Sequence, residues 1–404
     1  MFESCWAGQR PDWPMRFLKN LLDMADSAPG HQEIPKPPSG GFFIWGSAIN
    51  WLSINGADMF NFSKLGVPII QAPMAGGINN PLFASEVSNA GGVGSFGFAY
   101  SAPQKISEDL AATRALTNGP INANFFVFSP VGLPAQAIQT QAIEALKNLP
   151  IEGEYSVSTP QAPFYPAIED QLNPIWEHRP EILTFHFGVP SPSLIEKAHS
   201  LGIAVGITAT SLKEGKAVEK AGTDFIVAQG IEAGGHRGIF NPDGEDEKLS
   251  AMDLTKQLVK ECSIPVVTAG AIMDGADIAN ALKAGAVAAQ LGTAFLCCVE
   301  STASPAHKEY LLNHHSRGSV FTTGFSGRPA RGIDNEFIQL MNGKMVLPFP
   351  IQNTMTASLR QLAGRANNGE YQSLWAGQDY SRTRKLNAKS LMLALKEELL
   401  IALD

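Results

Sequence analysis

The chain has 404 residues, of which 44% are hydrophobic and 17% charged. That is long and apolar enough to bury one large α/β core or two smaller ones, and it excludes a disordered chain. A net charge of −8 argues against a nucleic-acid or anionic-membrane surface. Cys5, Cys262, Cys297 and Cys298 show neither a disulfide framework nor a CxxC metal spacing, which suits a reducing cytoplasm.

Residues 1–58 read as an N-terminal appendage without clear structure. Their most apolar stretch, "FFIWGSAINWLSI" (Phe42–Ile54), is interrupted by Ser47, Asn50 and Ser53 and falls short of the ~18 residues of a membrane span. Its position, behind residues that include acids and prolines, matches a signal peptide poorly. An initiation site assigned too far upstream is the alternative, because Met59 directly precedes the first well-patterned segment.

From Phe60 onward a helical stretch ending in Ala-Gly or Leu-Gly repeatedly leads into a short apolar strand. The glycines Gly91, Gly202, Gly222 and Gly285 stand where a helix needs a left-handed residue to stop. In chain order the strand candidates are "VPIIQ", "GVGSF", "INANFFV", "ILTFHF", "IAVGIT", "DFIVAQ", "PVVTA" and "AVAAQL". Eight continuous apolar strands alternating with helices predict a (β/α)8 TIM barrel over residues 59–339, with an open doubly wound sheet as the rival. Beyond it, residues 340–404 read as amphipathic helices such as "SLMLALKEELLIAL" (Ser390–Leu403), covering the barrel or forming a subunit contact.

Seven strands finish on a polar residue: Gln71, Asn124, His186, Thr208, Gln229, Thr268 and Gln290. Polar groups are costly inside a packed barrel and useful at its C-terminal mouth, where active sites are built. In "ILTFHF", period-two alternation sends Leu183, Phe185 and Phe187 outward against the helices. Ile182, Thr184 and His186 then face inward, with His186 at the mouth.

Two late turns, "TAGAIMDGADI" (Thr268–Ile278) and "AAQLGTAFL" (Ala288–Leu296), run from a strand through small residues towards a helix. Backbone N–H groups in such turns cradle phosphate, and these follow the seventh and eighth strands, the usual phosphate position of such barrels. "AQGIEAGGHRG" (Ala228–Gly238) follows the sixth strand, and Gly234 and Gly235 allow a flat ligand to approach the backbone. His236 is either a catalytic base or an ordinary loop residue, and the loop reading is favoured. "QAPMAGG" (Gln71–Gly77) after the first strand has the same small-residue character. No HExxH, P-loop, GxSxG or clustered metal-ligand set is present, so no metal is expected.

"PIIQAPMAGG", "NANFFV", "FHFG", "AQGIEAGGHRG", "TAGAIMDG", "QLGTAFL" and "FSGRPARGI" (Phe325–Ile333), in this order, resemble the nitronate monooxygenases. The resemblance runs from about Phe60 to the C-terminus. It implies a TIM barrel with non-covalent FMN that oxidises alkyl nitronates, such as propionate 3-nitronate, with O2 to a carbonyl compound and nitrite or nitrate. Carried onto this chain, Ala72, Pro73 and Met74 would lie against the flavin, and Asn124 and Gln229 would hydrogen-bond it. Gly234 and Gly235 would line the same site. The turns at Gly270–Ala271 and at Gln290, Leu291, Gly292 and Thr293 would hold the phosphate. Ala271 departs from the family's "AGG" turn: its N–H serves if φ is negative, whereas a positive φ would put phosphate binding in question.

The resemblance assigns His186 as the active-site histidine, binding the nitro oxygens or taking the α-proton of a neutral nitroalkane. An FMN-dependent NAD(P)H reductase acting on quinones or enoyl thioesters is the competing enzyme, sharing the "EAGGH" loop and the phosphate turns. A non-catalytic flavin-binding protein is the third reading.

Overall fold

The computed structural model describes residues 59–404, so the appendage expected over 1–58 lies outside the described residues. Each of the eight apolar runs forms a strand: β1 (Ile69–Gln71), β2 (Gly94–Gly97), β3 (Ile121–Phe126), β4 (Ile182–His186), β5 (Ala204–Ala209), β6 (Phe225–Gln229), β8 (Val266–Ala269) and β9 (Ala288–Leu291). They pair in parallel in the order β1-β9-β8-β6-β5-β4-β3-β2. The Gln71 N–H donates to the Val93 carbonyl and the Val93 N–H to the Ile69 carbonyl, both at 2.9 Å. These bonds join the two ends of the sheet, so it is a barrel and not an open doubly wound sheet.

The local signals act as their chemistry requires. Gly91, Gly202, Gly222 and Gly285 have φ of 93°, 77°, 77° and 98°, each just past a helix end. Inside the barrel, Phe225 meets Phe62 edge to face at 5.3 Å. Gly206 makes room for it: a Cβ there would lie 2.2 Å from the Phe225 ring. On the outer face Leu183, Phe185, Val205 and Ile207 pack with Leu172, Ile175, Ile195 and Ala198 of the surrounding helices.

Over the C-terminal ends of the strands lies a cap. Its antiparallel sheet joins β10 (Ser319–Thr322), β11 (Ala330–Ile333) and β7 (Gly235–His236). Helices Glu336–Met341, Ile351–Met355 and Ala357–Arg365 share a second core with the helix Gln136–Lys147, through Leu146, Phe325, Phe337, Leu347 and Leu359. The last helix, Ala388–Leu403, buries Leu391, Met392, Leu395 and Leu399 against the helices 81–89 and 275–283. No helix among the described residues is long and apolar enough to cross a membrane.

Phe187 departs from the alternation expected for its strand. It lies beyond the end of β4 with φ 78° and packs at the mouth with Phe126 and Phe349, not outward against the helices. The left-handed turn reverses the direction of its side chain.

Because Phe225 fills the barrel axis, Phe225→Ala is expected to lower unfolding free energy by about 3–5 kcal/mol in urea titration. A loss below about 1 kcal/mol would show that this ring does not hold the barrel core.

Candidate active site at the barrel mouth

A cavity of about 600 Å³ opens between the strand ends and the cap. Its wall contains every residue expected to bind or act except Leu291: His186, Ala72, Pro73, Met74, Asn124, Gln229, Gly234, Gly235, Gly270, Ala271, Gln290, Gly292 and Thr293. Leu291 is buried in the outer layer with Phe295 and Leu395, and contributes only its carbonyl, which accepts the Ala72 N–H at 2.7 Å. Five of the seven polar strand ends reach the cavity: Asn124, His186, Thr208, Gln229 and Gln290.

Strand parity explains the other two. Gln71 shares the outward face of Ile69, and its Oε1 accepts the Ser95 N–H at 3.1 Å. Thr268 shares the face of Val266 and bonds Thr255 of the covering helix at 2.7 Å. Neither serves the mouth.

The loop after β6 is held by a convergence of side chains. The carbonyl of His236 accepts Gln229 Nε2 at 3.0 Å and lies 3.2 Å from His186 Nε2, which therefore carries the donated proton. Gln229 Oε1 accepts the Gly238 N–H at 2.7 Å. Between them Arg237 is buried, paired through Nε and Nη2 with Asp246 at 2.8 and 2.9 Å, and donating Nη1 to the Gln229 carbonyl at 2.6 Å. Gly234 is small because the chain passes against it: a Cβ would lie 2.5 Å from Ala376 C. The room is needed for the cap rather than for a ligand.

His236, read from sequence as an ordinary loop residue, lines the cavity. Its ring spans barrel and cap, with centroids 6.0 Å from Phe126, 5.5 Å from Phe349 and 5.7 Å from Trp375. Ser326 Oγ donates to the Arg328 carbonyl at 3.1 Å and stands 2.9 Å from His236 Nε2. The serine proton is thus spent, so Nε2–H is the donor and Nδ1 keeps its lone pair. "FSGRPARG" held the signal, since it supplies Ser326, but distance in sequence hid the pairing. Tyr100, Arg360 and Trp375 also line the cavity, and their sequence surroundings carry no mark of it.

Both histidines are held neutral. Burial pushes His186 down to about 3, reinforced by Arg328 and Arg237 and opposed by its bond to the His236 carbonyl. Burial pushes His236 down to about 3 as well, reinforced by His186, Arg328 and Arg360.

The late turns suit a phosphate. The N–H groups of Ala271, Ile272, Gly292 and Thr293 have no protein acceptor among the described residues. Unpaired N–H groups converging on one wall form an anion cradle. Ala271 has φ 53° and follows Gly270 at φ 121°, so of the two cases set out for it the chain adopts the positive one, which puts phosphate binding by this turn in question. Alanine here takes a left-handed conformation that a glycine would take freely, keeping the turn at the cost of strain.

A closed parallel barrel with unpaired N–H groups in the turns after β8 and β9 and two neutral histidines at its mouth is the architecture on which oxidoreductase barrels are built. The family model for nitronate monooxygenase matches residues 59–398, and the chain belongs to that family. It is 41% identical over 341 residues to a nitronate monooxygenase of Paraburkholderia phytofirmans, covering 82% of this chain and 92% of the relative. A nitronate monooxygenase of Pseudomonas aeruginosa is 39% identical over 82% of this chain and 96% of its own length. Among solved structures, a nitroalkane oxidase from Streptomyces ansochromogenes superposes with a TM-score of 0.79 at 34% identity, covering 84% of this chain and 98% of that one. FabK from Thermotoga maritima is more distant, with a TM-score of 0.64 at 25% identity, covering 84% and 94%. The chain is an oxidoreductase of the nitronate-oxidising, flavin-dependent kind.

Two predictions follow from the strain and the buried rings. Ala271→Gly is expected to be neutral or stabilising by up to about 1 kcal/mol, because strain relief offsets added chain entropy. A loss larger than that in thermal unfolding would mean that the Ala271 methyl makes contacts outweighing the strain. For the histidines, the unfolded chain takes up protons near pH 6.5 while the folded rings stay neutral down to about 3. Their contribution to stability is therefore full above pH 6.5 and is lost progressively as pH falls towards 3. Denaturant midpoints between pH 7 and 4 should show this fall, and His236→Asn should flatten it.

Proposed function

We propose that the chain binds FMN non-covalently and oxidises alkyl nitronates with O2 to a carbonyl compound and nitrite or nitrate. The observation that carries the reading is one cavity joining the unpaired N–H groups at 271–272 and 292–293 to the pair His186 and His236. The cradle fits the FMN phosphate, and Ala72, Pro73, Met74, Gly235 and Asn124 supply the wall for a flat ring. Asn124 Nδ2 donates to Thr184 Oγ1 at 3.0 Å, which leaves Oδ1 for an N–H of the cofactor. When bound, the flavin accepts electrons from the substrate and passes them to oxygen.

The protein's part is to position substrate and hold protons. The expectation gave the histidine role to His186 alone; we divide it between the two rings. His186 fixes the carbonyl of His236, and with it the loop, from below. His236 spans barrel and cap and presents an unprotonated Nδ1, so it takes the α-proton of a neutral nitroalkane. A substrate that arrives as the nitronate needs no proton removed, and the same ring then orients the nitro group. The free thiols Cys262, Cys297 and Cys298 support a reducing, cytoplasmic setting.

His236→Asn is expected to keep bound flavin and lower turnover of 1-nitropropane by roughly 10²–10⁴-fold, with nitronate turnover falling far less. His186→Ala, which frees the loop, should lower both. Unchanged nitroalkane turnover in His236→Asn, with loss in His186→Ala, would return the base role to His186.

A further inference from the structure

Besides the histidines, two ionisable groups of opposite sign stand in the cavity wall: Arg360 on the cap helix Ala357–Arg365, and Asp379. Asp379 ends a strap, residues 375–379, that crosses beside the turns after β8 and β9. The Gly377 N–H donates to Thr293 Oγ1 at 2.9 Å, and the Gln378 N–H to the Glu232 carbonyl at 2.9 Å. Gly377 and Asp379 line the cavity while Gln378 between them is exposed, so the strap is one residue thick between cavity and solvent. A wall that would face an anion therefore carries a negative charge of its own.

Arg382 answers that charge from outside the cavity wall. Its Nη1 lies 3.4 Å from Asp379, and its Nη2 meets Asp274 and, at 2.8 Å, Asp277. Asp274 and Asp277 form the capping box of the helix Gly275–Lys283, and Asp277 also accepts the Met273 N–H at 2.8 Å. One guanidinium thus gathers three carboxylates. It also ties the strap to the turn that bears the unpaired Ala271 and Ile272 N–H groups.

These ion pairs are partly exposed, and as props of the fold such pairs contribute little. Beside a bound anion they matter more, because uncompensated carboxylates next to a phosphate repel it. Resting on the proposed function, we propose that Arg382 is a positioning residue for the cofactor: it neutralises the acidic strap, fastens it over the cradle and so retains the FMN phosphate without touching it. The N–H groups of the turns supply the direct bonds, and Arg382 removes the charge that would oppose them.

The test titrates the full-length chain, with bound flavin first dialysed away, with FMN and with riboflavin, which lacks the phosphate. Wild type is compared with Arg382→Met and Arg382→Lys, and binding is read from flavin fluorescence. The expected result for Arg382→Met is a loss of roughly tenfold in FMN affinity, with riboflavin affinity changing by less than about twofold. Arg382→Lys should restore part of the loss, since an ammonium still supplies the charge. Adding Asp379→Asn to Arg382→Met should also recover FMN affinity, because it removes the acid from the wall. Equal losses of FMN and riboflavin would make Arg382 a prop of the fold and overturn the proposal, as would an unchanged FMN affinity. If wild type binds neither flavin, the functional reading fails by itself. The charge effect is then read with inorganic phosphate, by amide hydrogen exchange at residues 271–272 and 292–293. Protection in wild type that is lost in Arg382→Met upholds the role of Arg382; protection that is equal in both, or absent from both, refutes it.

Discussion

The carbonyl oxygen of His236 is the point on which the site depends. Gln229 at the end of β6 and His186 at the end of β4 both bond it, and Gln229 takes the Gly238 N–H as well. A carbonyl held from two strands is fixed relative to the barrel, so the loop that follows is fixed with it. The consequence is that the His236 ring projects between the strand ends and the cap instead of following a mobile loop. The same convergence explains the buried Arg237, whose charge is met by Asp246 and whose remaining donor closes on the Gln229 carbonyl. Removing one member would leave buried polar groups unpaired, which costs more than the bond itself is worth.

The cap then decides what the mouth can hold. Ser326 sets the tautomer of His236, Phe349 and Trp375 enclose its ring, and Arg360 brings the positive charge that the neutral histidines do not supply. Burial explains both halves of that division. Imidazole yields its proton to escape the desolvation penalty, whereas guanidinium, with its far higher proton affinity, stays charged. An apolar enclosure thus produces a site with uncharged proton acceptors and a fixed cation.

Much of the barrel was legible in the sequence because its signals are local. A continuous apolar run, a helix-ending glycine and the two-residue alternation each act within a few positions, and all eight strands and four stop glycines followed from them. The polar strand ends were read as a group, and parity separates them: Gln71 and Thr268 stand one residue out of phase with the inward face. Leu291 fails for the same reason. Phe187 escaped because a left-handed turn at the strand end cancels the alternation. Long-range pairings left no local trace. Nothing near His236 announces Ser326, and Arg360 stands in an ordinary amphipathic helix, so only the folded chain brings either to the mouth.

The central claim is that electrons enter this site from a nitronate. The direct measurement is to mix the purified flavin-loaded protein, without oxygen, with propionate 3-nitronate and separately with NADH or NADPH, following flavin absorbance. The account predicts bleaching by the nitronate within the turnover time, reversed on admitting oxygen as nitrite or nitrate appears. Bleaching by the nicotinamide alone would contradict it and make the protein a reductase; a flavin unchanged by either would leave a barrel that binds the cofactor without turning over.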